Sequence, residues 1–487
     1  MDCKLNNKKH IDIPLVAALI PITLLIVGIV LFLVTNGADD IQLFSQPLLI
    51  LCGFAALSIA IIYRRPLRRP LKISIGKSFT QAVPVLAILL LIGTVSATWM
   101  FSGVVPTLIC YGMEVLNPNL FLVTACCICA AVSVMSGSSW TTIATIGVAF
   151  MGIGIMWGYS PGWIAGAIIS GAYFGDKVSP LSDTTVLASS TCGVPLMSHI
   201  RYMMFTTIPA MLLAIIVYLL VGLNTLPETG ESNMEILDKL HGTFNITPLC
   251  LLIPVATLLI LALRAGTIKT LVISTVLGII GIFMLQPQLL PSIGSAPVSD
   301  SAAVNHIRTI IGILTTRTSL NMDHPLLDSL VTTGGMAGMI PTITLVLSAL
   351  FFGTAMMASG LLSVIINSIM RRLKRKGKIV SSTAATGLLL NCFTGDQYLS
   401  IILCGNIYRN LYRRRSLDTR LLSRTIEDST SVTSVLIPWN SCGLTQSAVL
   451  GVATLAYFPF CIFNIASPLV TLLMGFVSVG SLKRQVA

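Results

Sequence analysis

Long apolar runs, each closed by a short polar or basic stretch, recur along all 487 residues. A bilayer-spanning helix needs roughly 20 predominantly apolar residues. On that measure the pattern predicts spans at about 15–34, 46–63, 78–101, 162–200, 204–223, 248–263, 270–285, 338–362, 416–450 and 452–480. Two further stretches, 104–117 and 362–378, suit helices lying along an interface. The piece 119–157 has two apolar arms around a polar tip, Ser136-Gly137-Ser138-Ser139, and 379–408 has two short arms around Thr394-Gly395-Asp396-Gln397. The arms of 379–408 are too short to cross and have basic clusters at both ends, which predicts a re-entrant hairpin. Each arm of 119–157 is long enough to cross, and a hairpin is expected there because the second half suggests one. The expected class is an all-α polytopic membrane protein.

Two of the predicted spans are interrupted. The run 162–200 contains Gly175-Asp176-Lys177-Val178-Ser179-Pro180-Leu181-Ser182-Asp183-Thr184-Thr185, and 416–450 contains Glu427-Asp428-Ser429-Thr430-Ser431 and then Pro438-Trp439-Asn440. An ionised side chain at the bilayer centre costs roughly 2.5–3.5 kcal/mol on insertion scales, so such residues face a cavity or a partner. Pro180 cannot donate to a helix ladder and disfavours helix at Ser179. Carbonyls freed there need a partner, and a bound cation is one.

The two halves repeat. Gly137 and Gly395 sit at corresponding hairpin tips, 258 residues apart, while Asp176, Ser179 and Ser182 match Asp428, Ser431 and Ser434 at a separation of 252. With five spans in each half, at 15–223 and 248–482, the second repeat has inverted topology. Inverted repeats with discontinuous helices that meet at the midplane predict a secondary transporter working by alternating access.

Composition supports the membrane reading: 54% of residues are hydrophobic and 10% charged. The net charge of +12 does not point to nucleic acid. Of the 30 Lys and Arg, all but Lys177, Lys239, Arg308 and Arg317 fall on one face when the spans alternate, which is the positive-inside pattern. The ends, 1–14 and 483–487, are then cytoplasmic, and both the acidic stretch 224–247 and the segment 286–336 are extracytoplasmic, the latter with an amphipathic piece at 304–314. Twelve cysteines scattered through apolar runs form no disulfide framework or zinc spacing. No nucleophile–base pair or His-Glu-x-x-His motif marks an enzyme, and no cofactor is expected.

Four motifs together resemble the NhaC-type Na+/H+ antiporters: Tyr173 through Thr185, Gly137-Ser138-Ser139-Trp140, Gly395-Asp396-Gln397-Tyr398, and Ile437-Pro438-Trp439-Asn440-Ser441-Cys442-Gly443. The resemblance runs from about the third span to the last. It implies a bacterial inner-membrane antiporter of Na+ and H+, often dimeric, with paired hairpins. Relatives within the family move carboxylic acids or amino acids, so a small organic acid or amino acid is the alternative substrate. Val186 and Ser189 depart from the residues usual beside this motif.

A hard cation takes carboxylate, hydroxyl and amide oxygens. Asp176, Ser179, Ser182, Asp183, Thr184 and Thr185 offer that set in one segment, with Asp396, Asp428 and Asn440 as further candidates. A carboxylate occupied by either Na+ or H+ couples the two ligands. Asp183 or Asp176 is the expected coupling group, with Asp396 and Asp428 the alternatives. Asp183 also suits the cap of a helix beginning at Thr184. Lys177 is expected either to pair with a neighbouring Asp when Na+ is absent or to snorkel to the surface. Gly137, Ser138, Ser139, Gly395 and Gln397 are placed at the tips as gating or substrate contacts.

Overall fold

The computed structural model describes residues 12–36, 41–225, 231–263, 265–293, 302–323, 327–328, 331–370 and 375–476. The predicted cytoplasmic ends therefore lie outside the described residues apart from Asp12, Ile13 and Pro14. The described chain is helical. Its one extended contact is the bridge between Thr318 and Thr333, paired both ways at 2.8 Å.

The first half contains α1 (Leu15–Asn36), α2 (Ile41–Ile62), α3 (Arg68–Phe101), α4 (Val104–Val115), α5 (Phe121–Ser136), α6 (Ser139–Met156), α7 (Pro161–Val178), α8 (Asp183–Cys192) and α9 (Leu196–Asn224). After α10 (Glu231–Thr243) come α11 (Leu252–Ala262), α12 (Thr267–Leu285), α13 (Ala302–Thr315), α14 (Ile340–Ala358), α15 (Leu361–Met370), α16 (Lys376–Thr394) and α17 (Gln397–Arg414). The chain closes with α18 (Thr419–Ile426), α19 (Ser441–Leu450) and α20 (Ile462–Phe476). Among the described residues eight helices are long and apolar enough to cross a membrane, ten if each sharply bent pair counts as one crossing. The protein is a polytopic membrane protein.

Three boundaries differ from the sequence reading. The run 196–200 belongs to α9, which continues unbroken through Arg201, because Gly193 turns the chain left-handed (φ +71°) and Pro195 starts the next helix. The acidic stretch 224–247 holds a helix, α10, bent by 88° against the one that follows. The last predicted span, 452–480, is interrupted at Cys461, and the short helix at its start bends by 87° from α19.

Left-handed positions recur at near-constant separation. Gly103 and Gly360, Gly137 and Gly395, Gly158 and Ser416, and Gly193 and Gly451 all have positive φ and lie 257 or 258 residues apart. The capping residues of the two post-break helices, Ser182 and Asn440, share the 258 separation. In that register Asp176 falls on Ser434, not on Asp428 as the sequence pattern alone suggested.

Close packing of α5 on α7 fixes the first break. A Cβ at Gly171 would come within 2.1 Å of the Cys126 carbonyl oxygen, and one at Gly175 within 2.3 Å of the Ala130 oxygen. Small residues four apart let two membrane helices approach to backbone contact.

Candidate functional site

α7 ends at Val178, the Ser179-Pro180-Leu181 segment is unwound, and α8 restarts with Ser182 as its cap. Ser182, whose hydroxyl accepts from the Thr185 N–H, is the capping residue in place of Asp183, which occupies the first helical position. Against this gap sits the tip between α5 and α6. Gly137 adopts φ +67° there, with Leu181 so close that a Cβ would meet it at 2.6 Å. Glycine is required by both the angle and the contact.

The tip delivers donors to Asp176. The Ser139 N–H and hydroxyl both donate to Asp176 Oδ2, at 3.2 and 2.7 Å. Asp176, Asp183, Thr184, Ser138, Ser139 and Trp140 line a cavity of about 390 Å³, its lining completed by Pro84, Val85 and Ile88 of α3, Thr267 and Ile268 of α12, and Gln397 and Tyr398 from the second tip. Asp176 is buried at the base of this cavity and Asp183 is exposed to it. Ser179 and Thr185 point elsewhere. The Ser179 hydroxyl donates to the Val134 oxygen at 2.8 Å and that of Thr185 to the Lys177 oxygen at 3.0 Å.

The second tip is built the same way with different residues. Gly395 has φ +64°, and Asp396 caps α17 by accepting the Leu399 N–H at 2.8 Å. Asp396 therefore serves the backbone and does not line the cavity. The Gln397 side-chain oxygen accepts from the Ser434 hydroxyl at 2.8 Å, tying this tip to the second break. Asn440 caps α19 through the Cys442 N–H and donates to the Asn391 oxygen at 3.2 Å. The Ser441 N–H donates to the Gly395 oxygen at 2.8 Å.

A second polar centre is dry. Lys177 donates to Asp428 in an ion pair that is fully buried on both sides. Lys177 Nζ also donates to the Ser467 hydroxyl at 3.0 Å, and lies 5.6 Å from the centre of the Phe463 ring. Ser467 and Thr471 of α20 donate to the two oxygens of Asp428, and Arg424 Nε lies 3.9 Å from it one turn back. Beyond α18 the helix widens into a π turn, Glu427–Ser431, where the Val432 N–H reaches the Glu427 carbonyl at 3.3 Å. Such turns are frequent at functional sites.

Of the residues singled out from sequence, Asp176, Asp183, Thr184, Gly137, Ser138, Ser139 and Gln397 meet at one cavity. Lys177 and Asp428 meet at the buried pair. Ser182 and Asn440 are caps. Sequence reasoning passed over Tyr398, Arg424, Ser467, Thr471 and the burial of Glu427. The two hydroxyls lie one turn apart on an apolar helix, and that spacing was the available signal.

The Na+/H+ antiporter family model matches residues 3–194 and 171–479. The Na+/H+ antiporter NhaC of Alkalihalophilus pseudofirmus is 34% identical over 96% of this chain and 98% of its own length. NhaC of Bacillus subtilis is 30% identical over 97% and 100%. A Bacillus subtilis protein named malate-2H+/Na+-lactate antiporter is 33% identical over 90% of each chain. With its motifs converging on one cavity and these matches running nearly end to end, the chain belongs to the Na+/H+ antiporter family, of the NhaC type.

Proposed function

We propose that the protein exchanges Na+ for H+ across the bacterial inner membrane, with Asp176 and Asp183 as the carboxylates for which the two cations compete. The observation that carries this reading is the pair of acids on a cavity inside the helical bundle, one buried and prepared by Ser139, the other open to entering ions. Carboxylate oxygens beside the Ser138 and Thr184 hydroxyls suit a hard cation, and a proton on Asp176 removes the charge that Na+ needs. Mutually exclusive occupancy is a negative coupling between the ligands, which is what exchange requires.

The matched left-handed positions and caps at 257–258 residues support two inverted repeats, at 15–223 and 248–482, each with a re-entrant hairpin (119–157 and 379–408) and a broken helix (162–200 and 416–450). Thr267 and Ile268 lie beside the basic side marked by Arg264 and Lys269, which supports a cavity mouth that opens toward the cytoplasm. This arrangement is the inward-facing half of an alternating-access cycle.

A second reading rests on the size of the cavity. At about 390 Å³ it has room for a small carboxylate or amino acid beside the cation, and a relative is named for malate and lactate. Gln397 and Tyr398 would face such a substrate.

Proteoliposomes with an internal pH dye separate the two. A pH gradient is imposed and Na+, K+ or Li+ is added outside. Prompt dissipation by Na+ that disappears in Asp176→Asn supports Na+/H+ exchange at this site. Dissipation that requires malate, lactate or an amino acid beside Na+ moves the assignment to the second reading, and no response to any of them sinks both.

A further inference from the structure

Glu427 is fully buried, and neither carboxylate oxygen has a hydrogen-bond partner. The hydroxyls of Thr430 and Ser431, in the same π turn, are likewise buried and unpartnered. The Ser431 hydroxyl is the nearest donor to the Glu427 carboxylate. The adjacent residue, Asp428, has its oxygens filled by Lys177, Ser467 and Thr471. Two neighbouring acids in one turn thus sit in opposite circumstances.

An ionised carboxylate with neither a counter-ion nor a donor is among the costliest groups to bury. In this arrangement Glu427 is neutral, and a proton is the cation that makes it so. Its neighbours also allow that proton to leave. Lys177 and Arg424 supply two positive charges against the single negative charge of Asp428, so ionised Glu427 would bring this group to neutrality. The other titratable or charged groups around it are Asp176, His199 on α9, Cys192 on α8 and Arg409 on α17. The Ser431 hydroxyl is available as acceptor or donor in either state.

A polar cavity beside α8 is the candidate entry for that proton. Cys192, at the end of α8, is within electrostatic reach of both Glu427 and Arg409, and Arg409 packs over Gly193. Cys192 and Gly193 line a polar cavity of about 420 Å³ together with Arg413, Ser416, Asp418 and Arg420.

We propose that Glu427 is a second proton-carrying carboxylate of the exchange cycle, loaded from the cavity at Cys192 and Arg413, so that more than one proton moves per Na+. On loading, a proton from water in that cavity forms an O–H bond with a Glu427 carboxylate oxygen. On release that bond breaks and the proton returns to water on the other side of the cycle. The inference rests on the Na+/H+ reading given above.

The test is the reversal potential of the reconstituted full-length protein, the voltage at which flux stops under imposed Na+ and pH gradients. Wild type is expected to move at least two protons per Na+, Glu427→Gln one fewer, and Glu427→Asp the wild-type number. A wild type that shows no cation-driven exchange fails the underlying reading. A wild type that exchanges, with an unchanged ratio in Glu427→Gln, overturns this proposal alone. A direct readout covers a variant that fails to fold. Glu427 is one of five glutamates in the chain, so infrared difference spectra of wild-type protein carrying ¹³C-labelled glutamate should contain a label-shifted carboxylic-acid band that persists above the pH at which exposed glutamates ionise and disappears only at higher pH. The absence of any such band overturns the proposal.

Discussion

Asp176 and Lys177 are consecutive residues on the last turn of α7, yet they serve two unlike places. Successive side chains on a helix diverge by about 100°, so one points into the cavity between the tips while the other crosses to Asp428 in the dry centre. The cavity is lined by carboxylates and hydroxyls that, on the proposed reading, exchange partners with a visiting ion. In the dry centre Lys177, Asp428, Ser467 and Thr471 satisfy one another. Incomplete coordination suits transient binding. A closed set of contacts suits holding α7 against α18 and α20.

If this contrast is correct, mutations should separate transport from stability. The largest effect is expected for Asp176→Asn, which should abolish Na+-driven proton movement in proteoliposomes while leaving thermal unfolding in detergent close to wild type. Loss of transport with a large drop in melting temperature would instead make Asp176 structural. The next effect is on the dry side. Removing one partner of a buried ion pair costs about 3–5 kcal/mol, whereas replacing both with apolar residues can be nearly neutral. Lys177→Met should therefore be strongly destabilised, and Lys177→Met combined with Asp428→Leu should recover much of the loss in denaturant titrations. Additive losses in the double variant would refute a closed pair.

A smaller effect is expected for Asp183→Asn. Its carboxylate is open to the cavity, so one partly solvated contact with the ion is worth about 1 kcal/mol, or roughly a fivefold loss of apparent Na+ affinity, measured as the Na+ dependence of exchange. A wild-type affinity would remove Asp183 from the site. The smallest effect on exchange is expected for Ser182→Ala, which deletes the cap of α8 at a cost of about 1 kcal/mol of stability. Ser182→Asp should restore it, since both residues cap well, and the comparison is read as a shift in melting temperature.

Much of this was legible in the chain. Polar residues inside apolar runs located both breaks, and Ser/Gly-rich tips between apolar arms located the cavity walls, because polar atoms at membrane depth are costly enough to leave few alternatives. Spacing could not show which acid Lys177 meets, since Asp428 lies 251 residues away and nearer candidates had equal chemistry. Likewise, Asp396, Asp428 and Asn440 had the right functional groups, but capping and pairing claim them in the fold. The breaks align from sequence at 252 residues, six short of the separation shared by the left-handed positions and caps. Ser/Thr-rich breaks align with one another at several offsets, whereas four pairs of left-handed residues and one pair of helix caps share 257 or 258.

The contact of Gly171 and Gly175 with the carbonyls of Cys126 and Ala130 has a mechanical consequence. Two helices seated backbone to backbone have no layer of flexible side chains between them to shear, so α5 and α7 behave as one solid piece. The first tip rides on the end of α5, and Asp176 and Lys177 ride on the end of α7. Any displacement of this piece that reshapes the cavity must then pull on the buried pair in the same stroke, and slippage is confined to the outer surfaces of this two-helix block.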